Sequence, residues 1–391
     1  MRPNKESCFF NLGWLPAIAL LASQVGATEQ ATSTSGSVVA ERIAMPGREE
    51  ILSPHLSELE QRLFDQIHDG RFGEFSLLEA GLIAGGVDRQ GELRRYCKRF
   101  DALVESLRRS GKVCGTPRKQ AQAVFTFLHQ SILRGGYNLQ ASDLRQTLDH
   151  GRFNCVTASV LFNCLADRFQ LKAVGLELPG HAMSRLELPE ETLDLETTCP
   201  RWFTLLDRPS EATSRQAGNL TLPEQETMAQ AELAKQSLAR NAANDRRSLR
   251  QVSEVELVAT IYYNRGVDLL AEKHFADAAA ANAKAVRLDP ENATAKGNFL
   301  ATINNWAIDL GTSGEYEKAA ELLRLGLATD ASYEAFRSNY IQLLRQWSEH
   351  LCRSGRYEDA VRLLAQATKE QPSEKFFREA AIEVLRRWAK K

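Results

Sequence analysis

The sequence lacks the features that mark several common classes of protein. Its 391 residues include seven cysteines, too few for a small scaffold held together by disulfides. Neither charge sign is in excess, with 49 Lys and Arg against 50 Asp and Glu, so we expect no nucleic-acid partner. No C-x-x-C pair and no zinc-type spacing of Cys and His occurs, and we expect neither a metal nor a cofactor. Beyond the N-terminus, no apolar run reaches the roughly 18 residues of a membrane span.

The N-terminus has the pattern of a secretory signal peptide. Basic residues precede a short apolar run at 8–22, and small residues just before Thr28 offer a cleavage site, so we expect a signal peptide at 1–27. Residues 28–47 are rich in Thr, Ser, Ala and Gly and predict a flexible mature N-terminus. These features predict export to the periplasm or the medium, with an uncleaved membrane anchor as the alternative.

Three regions follow. Residues 48–204 are dense in apolar positions, first with helical periodicity and then with short alternating strands. Residues 205–250 are polar and charged, which predicts a linker. Residues 251–391 are helical throughout and contain a repeat. We therefore expect a mixed α+β domain, a linker and a helical array.

Aromatic residues at a fixed interval define the repeat. Phe275, Tyr316 and Tyr357 follow one another at 41 residues, and Trp306 and Trp347 keep the same interval. The pattern resembles the tetratricopeptide repeat, whose usual period is about 34, so each of three helix pairs gains about seven residues, or two turns. We expect the extra residues to lengthen the first helix of each pair. We also expect the tryptophans to lie in the core. The resemblance implies a concave surface that docks a partner protein; a spacer that binds nothing is the alternative.

Cys155 has the sequence setting of a nucleophile. Gly151 is a turn signal, and an apolar helical run follows it, so Cys155 falls in the first turn of a buried helix. Unpaired N–H groups at a helix start favour the thiolate, which is the nucleophilic form of cysteine. Cys164, further along the same helix, is expected only to pack.

A histidine and two acids lie on the strands after this helix. His181 begins the second predicted strand, and Asp194 and Glu196 share one face of the third. With the hairpin centred near Glu190, residue 196 pairs near residue 184 and is closer to His181 than Asp194 is. Cys155, His181 and Glu196 therefore form a candidate set of nucleophile, base and orienting acid.

These motifs resemble the transglutaminase-like superfamily. Phe-Asn-Cys155-Val-Thr-Ala-Ser resembles its nucleophile motif, Gly-His181-Ala its strand start, and Glu196-Thr-Thr stands where the family has Asp-x-Thr. The helical stretch 72–136 resembles the lead-in of a bacterial branch that also carries tetratricopeptide repeats. The resemblance implies an α+β, papain-like cysteine-hydrolase domain at 48–204, with Cys155, His181 and Glu196 as its catalytic residues.

The implied activity is thiol-dependent acyl transfer or amide hydrolysis on a protein or peptide. Protease, amidase, deamidase and cross-linking enzymes all share this chemistry. Two alternatives remain open on the sequence: a non-catalytic scaffold that binds peptides with the same fold, and a Cys155 locked in a disulfide with Cys164 or Cys199.

Donors for the oxyanion are less well defined by the sequence. The backbone N–H of Cys155 is the simplest donor. Gln140 and Gln146 are further candidates, because the resemblance leads us to expect a polar donor before the nucleophile. His150 lies close to Cys155 in sequence but is predicted in a loop, away from the strand that carries the base.

Overall fold

The computed structural model describes residues 48–178, 180–207 and 249–391. The predicted signal peptide (1–27), the predicted flexible N-terminus (28–47) and most of the predicted linker (205–250) lie outside these ranges. Within them the chain is mainly helical, and no helix is both long and apolar enough to cross a membrane.

Helices make up the chain up to the sheet. A single π-helical turn, Leu128–Ile132, continues directly from one of them. The helices are α1 (Arg48–Leu52), α2 (Glu58–Asp65), α3 (Leu77–Ala84), α4 (Gln90–Arg109), α5 (Pro117–Phe127), α6 (Leu144–His150) and α7 (Cys155–Arg168).

A four-stranded antiparallel sheet follows α7. Its strands are β1 (Lys172–Leu178), β2 (His181–Glu187), β3 (Thr192–Leu195) and β4 (Arg250–Val252), in the spatial order β3-β2-β1-β4. A short helix, α8 (Trp202–Leu206), follows β3 in the chain. Short turns join β1 to β2 and β2 to β3, and these antiparallel strands pack one face of the sheet on helix α7.

Helix α7 lies at the centre of the hydrophobic core. Twelve of its residues in succession, from Cys155 to Ala166, are buried, so this helix is packed on all sides. Helix α9 (Glu254–Ala271) contributes to the same core through side chains that are less than 2% exposed, among them Leu257, Ile261 and Tyr262.

The grouping of elements differs from the division predicted from the sequence. The first compact unit comprises the described residues of His55–Asp268 together with Lys284–Ala295. It therefore includes β4 and nearly all of α9, which the sequence pattern assigns to the linker and the repeats. Strand β4 has three residues in a polar stretch, and its hydrogen bonds to β1 join distant parts of the chain, so local periodicity carries no sign of it.

The second unit holds the remaining helices and has a regular period. It comprises Leu269–Ala283 and Lys296–Lys391, together with residues 48–54. The helices that follow α9 in the chain are α10 (Phe275–Leu288), α11 (Ala293–Thr312), α12 (Tyr316–Thr329), α13 (Glu334–Arg353), α14 (Tyr357–Glu370) and α15 (Lys375–Trp388). Helices of 20 residues, α11 and α13, alternate with helices of 14 residues, α12 and α14, so the first helix of each of these pairs is the longer one.

Stacked aromatic pairs repeat along this unit. The ring of Phe275 stacks on Trp306 at 6.3 Å, that of Tyr316 on Trp347 at 6.0 Å, and that of Tyr357 on Trp388 at 6.4 Å. The interplanar angles are 5°, 12° and 9°. The sequence pattern includes the first two tryptophans but not the third, and Trp388 is the exposed one of these three, at 44%.

Candidate active site

Cys155 is the first residue of helix α7, and the residue before it caps the helix. The side chain of Asn154 accepts a hydrogen bond from the Thr157 N–H at 2.9 Å, and the Thr157 hydroxyl accepts one from the Asn154 N–H at 3.0 Å. This reciprocal pair is a capping box, which fixes the first turn of a helix. The Asn154 amide also donates to the carbonyl of Leu139 at 3.1 Å and to the hydroxyl of Ser142 at 3.0 Å. The start of the helix, and Cys155 with it, is therefore tied to the segment that precedes helix α6.

His181 and Glu196 form a short contact beside this cysteine. The Nε2 atom of His181 lies 2.6 Å from an oxygen of Glu196, whose side chain is only 5% exposed. The other oxygen of Glu196 accepts hydrogen bonds from Thr198, at 2.6 Å from the hydroxyl and 3.1 Å from the N–H. The thiol of Cys155 is within hydrogen-bonding reach of the His181 ring. The structure thus brings Cys155, His181 and Glu196 together in one cluster.

The protonation of this cluster favours an ionised histidine–glutamate pair. Burial alone would lower the pKa of His181, but the negative charge of Glu196 and the contact with Cys155 outweigh it and raise the pKa well above 6.5. Burial alone would raise the pKa of Glu196, but His181 and the donors of Thr198 hold that pKa below 4.5. At neutral pH both groups are therefore charged, and each stabilises the charge of the other.

The second acid has a different partner. Asp194 makes a two-pronged ion pair with Arg185, with N–O distances of 2.7 and 2.9 Å. In the observed register Ser184 pairs with Leu195, one residue from the pairing that the sequence suggests. Strand β3 ends at Leu195, so Glu196 lies just beyond the ladder, where its carboxylate meets His181.

Tyr137 is a site residue that the sequence pattern does not reveal. Its hydroxyl is within hydrogen-bonding reach of both the thiol and the backbone N–H of Cys155. Burial of the hydroxyl and the negative charges of Cys155 and Glu196 raise the pKa of Tyr137, so the phenol keeps its proton at neutral pH. Its ring packs edge-on against Phe153 with centroids 5.9 Å apart.

His129 is a second residue that the sequence did not reveal. It lies in the π-helical turn after α5, and its ring packs on Phe125 at 4.8 Å. Burial lowers the pKa of His129 to about 4, so the ring is neutral, and it hydrogen-bonds the backbone of Thr197, next to Glu196. Single π-helical turns are frequent at functional sites, and this one is the signal that marks His129.

Other candidates from the sequence lie elsewhere. Gln140 and Gln146 are both exposed. His150, predicted in a loop, is in fact the exposed last residue of helix α6. Cys164 is buried as expected, and burial raises the pKa of its thiol.

The disulfide alternative is not what the structure shows. Among the described residues all six cysteines are free thiols, including Cys155, Cys164 and Cys199. In the same ranges no group of three or more His, Cys, Asp or Glu side chains is arranged to hold a metal ion.

One comparison with known proteins bears on this site. The family model described as the transglutaminase-like superfamily matches residues 94–260, a range that includes Cys155, His181 and Glu196. Neither a curated protein nor a solved structure matches the chain significantly. The match supports a transglutaminase-like domain at residues 94–260, and it ends within helix α9.

Proposed function

We propose that the transglutaminase-like domain of residues 94–260 carries out thiol-dependent acyl transfer or amide hydrolysis on a protein or peptide. In this proposal Cys155 is the nucleophile, His181 the general base and acid, and Glu196 the residue that orients the histidine. The observation that carries it is the single cluster in which His181 contacts both the Cys155 thiol and, at 2.6 Å, the Glu196 carboxylate.

The proposed reaction has two halves. The Cys155 proton already resides on His181 at neutral pH, as the raised pKa of His181 favours, and the thiolate attacks the acyl carbon so that a C–S bond forms. The tetrahedral intermediate then expels the amine, which takes its proton from His181 and leaves a thioester on Cys155. Water or a second amine, deprotonated by His181, attacks the thioester and returns the thiol. No metal or cofactor is needed for either half.

The pair formed by His181 and Glu196 suits this role. Because Nε2 faces Glu196, the other ring nitrogen is left for the thiol. The carboxylate fixes the ring orientation and stabilises the imidazolium that forms when the thiol loses its proton. The glutamate is itself held in place by the two hydrogen bonds from Thr198, which compensate for the length of its side chain.

The helical array and the N-terminus carry separate proposals. We infer that the repeats, of the tetratricopeptide type, bind a partner protein on the surface formed by helices α11–α15. The signal-like pattern of residues 1–27 supports export to the periplasm or the medium, or tethering to the membrane if the segment is retained.

Trapping the acyl-enzyme tests the proposed chemistry. The mature protein is mixed with p-nitrophenyl acetate, and peptides are mapped by mass spectrometry while p-nitrophenolate release is followed. We expect an acetyl thioester on Cys155 that is absent from Cys155→Ala and formed about 10²–10⁴-fold more slowly in His181→Ala. Cys164→Ala, which removes a buried thiol from the same helix, is the matched control and should react as the wild type does. A wild-type Cys155 that stays unmodified would favour the peptide-binding scaffold instead.

A further inference from the structure

We propose that the hydroxyl of Tyr137 is the second donor of the oxyanion hole, acting with the backbone N–H of Cys155. The inference rests on the proposed acyl chemistry and assigns a catalytic residue to it. Two features of the structure support it: the way the backbone brings Tyr137 to the nucleophile, and the atoms that its hydroxyl reaches.

The backbone holds Tyr137 against the segment that leads into helix α7. The N–H of Gly135 donates to the carbonyl of Gly151 at 2.8 Å, and that of Asn138 to the carbonyl of Phe153 at 2.8 Å. Tyr137 pairs with Phe153 in an isolated parallel bridge between these bonds. Phe153 is two residues before Cys155, so the position of Tyr137 relative to the thiol is set by backbone hydrogen bonds and not by its side chain alone.

The close approach of the two segments depends on glycine. A Cβ atom on Gly135 would collide with the backbone around Gly151, and one on Gly151 would lie 2.6 Å from the Gly135 nitrogen. Larger residues at either position would separate the segments and move Tyr137 away from Cys155.

The hydroxyl of Tyr137 lies beside the place where an acyl oxygen must bind. An oxyanion formed by attack of the Cys155 sulfur lies about 2.7–3.1 Å from its donors and next to the sulfur. Tyr137 reaches both the thiol and the N–H of Cys155. A carbonyl oxygen that enters between the phenol and the N–H therefore receives one hydrogen bond from each.

The proton of the phenol is available for this role. Burial and the neighbouring negative charges of Cys155 and Glu196 raise the pKa of Tyr137, so it donates a hydrogen bond without releasing its proton. As the C–S bond forms, the carbonyl π electrons move to oxygen, and the O–H of Tyr137 and the N–H of Cys155 stabilise the charge. When the intermediate collapses the electrons return, and the leaving amine takes its proton from His181.

Tyr137 is also placed to meet a substrate. It is 42% exposed, whereas Cys155 is 7% exposed, so the tyrosine lies at the mouth of the site and the thiol behind it. The glutamines proposed from the sequence, Gln140 and Gln146, are also exposed. Tyr137 differs from them in that its hydroxyl is within hydrogen-bonding reach of Cys155.

Two reagents that attack the same sulfur by different routes test the proposal. Acylation of Cys155 by p-nitrophenyl acetate passes through an oxyanion, whereas alkylation by iodoacetamide is a direct displacement at carbon and forms none. Both rate constants are measured on the full-length mature protein for the wild type and for Tyr137→Phe. Tyr96→Phe is the matched control, since it removes a hydroxyl that bonds Asp149 at 2.7 Å.

We expect Tyr137→Phe to slow acylation by about 10²-fold, as is typical for loss of one oxyanion donor, and to change alkylation by less than about threefold. Tyr96→Phe should leave both rates near those of the wild type. If Tyr137→Phe slows acylation and alkylation equally, the tyrosine only maintains the structure of the site. If it speeds both reactions, the tyrosine only shields the thiol from reagents. Either result overturns the proposal. If the wild-type Cys155 is not acylated at all, the proposed function fails first, and the two failures are thereby distinguished.

Discussion

Glu196 divides its two carboxylate oxygens between two partners. One oxygen faces His181 and the other accepts from Thr198, so the side chain has little freedom to rotate away from the histidine. A glutamate is longer than the aspartate expected at this position from the resemblance, and the donors of Thr198 hold the additional length in one conformation. The carboxylate that contacts His181 is therefore itself held in one orientation.

Replacement of Glu196 by Gln tests how the histidine is ionised. The substitution keeps the shape of the side chain but removes the charge that opposes the effect of burial on His181. We expect the pKa of His181, followed by NMR of its ring protons, to fall from well above 6.5 toward or below that value. Asp194→Asn, which removes an acid paired with Arg185, is the control and should leave the pKa of His181 unchanged. A high pKa that persists in Glu196→Gln would contradict the assignment of its cause.

The same pair makes stability depend on pH. The raised pKa of His181 contributes to the free energy of unfolding. This contribution is complete at pH values below the pKa of the histidine in the unfolded chain, and it is lost as pH rises through the pKa in the folded protein. The lowered pKa of Glu196 also contributes to the free energy of unfolding. This contribution is complete above pH 4.5 and is lost as pH falls through the pKa of the glutamate in the folded protein. Urea unfolding should therefore show that Glu196→Gln lowers the free energy of unfolding by more at about pH 6 than at about pH 9. An equal cost at both pH values would rule out this linkage.

Single residues differ in how far the sequence reveals them. Cys155, His181 and Glu196 stand in motifs with a chemical meaning, and the order of their motifs along the chain is enough to select them. Tyr137 cannot be selected in this way, because its contact with Cys155 arises from the approach of two non-adjacent segments. A tyrosine in a loop carries no periodic signal.

Among the elements, the turn before helix α7 sets the position of Cys155, the proposed nucleophile. Gly151 ends α6 in the left-handed conformation, with φ at 73°, and any Cβ atom here would meet the backbone of residues 132–135. We expect Gly151→Ala to destabilise the first unit by more than about 2 kcal/mol in urea unfolding and to slow modification of Cys155, because strain and collision add.

Gly111→Ala is the matched control for this substitution. Gly111 also has a positive φ, 64°, but a Cβ atom there meets nothing within 4 Å. The free energy of unfolding of Gly111→Ala should fall by only about 1 kcal/mol, because backbone strain is the only cost. Equal losses in the two variants would show that the close approach at Gly151 is unimportant.

The stacked aromatic pairs of the helical array differ mainly in burial. Trp306 is 8% exposed and Trp388 is 44% exposed, although both stack on an aromatic ring of the preceding 14-residue helix. Trp306→Ala should cost about 3–5 kcal/mol of unfolding free energy, the range for large buried side chains, and Trp388→Ala clearly less. Thermal and urea unfolding would measure the difference, and losses of the same size would mean that stacking rather than burial dominates.

Secondary structure is predictable here where it is long and periodic. The start of α7 at Cys155, the three strands that follow it and the long first helices of the array all have strong local patterns. The register of the β2–β3 hairpin is shifted by one residue from the prediction, because the turn between Glu187 and Thr192 is not centred on Glu190. Turn geometry decides register, and composition does not specify it.

At the scale of the whole molecule, the first unit extends beyond its apparent C-terminal boundary. Arg250 binds Glu177 of β1 at 2.6 Å and also pairs with Asp289. Glu60 of α2 receives hydrogen bonds from Lys284 at 2.7 Å and from the buried Tyr262 at 3.0 Å. The partners of Glu177 and Glu60 come from much later in the chain, so they join late segments to the fold around the candidate site.

Truncation tests this extent. A chain of residues 48–295 keeps β4, α9 and α10, and should unfold cooperatively by circular dichroism. A chain of residues 48–252 loses the α9 side chains that complete the core, among them Ile261 and Tyr262, and should have no cooperative transition, because several large fully buried groups are missing. Cooperative unfolding of the shorter chain with unchanged stability would contradict this extent of the first unit.

The balanced charge and the modest number of cysteines exclude classes of function but cannot specify a substrate. The contacts that complete the first unit could not be predicted from the sequence either. They join residues that are far apart in the chain, and the sequence around those residues has no motif or periodicity that marks them. What the sequence does show is the order of the motifs that carry Cys155, His181 and Glu196 along the chain.

The central claim is that Cys155 is an activated nucleophile, and its reactivity with iodoacetamide measures this most directly. The second-order rate constant at neutral pH is compared among the wild type, His181→Ala and free cysteine, with Cys155 identified by peptide mapping. We predict that Cys155 reacts faster than free cysteine and that His181→Ala removes the advantage. A Cys155 that reacts no faster than free cysteine, or whose advantage survives His181→Ala, would contradict the claim.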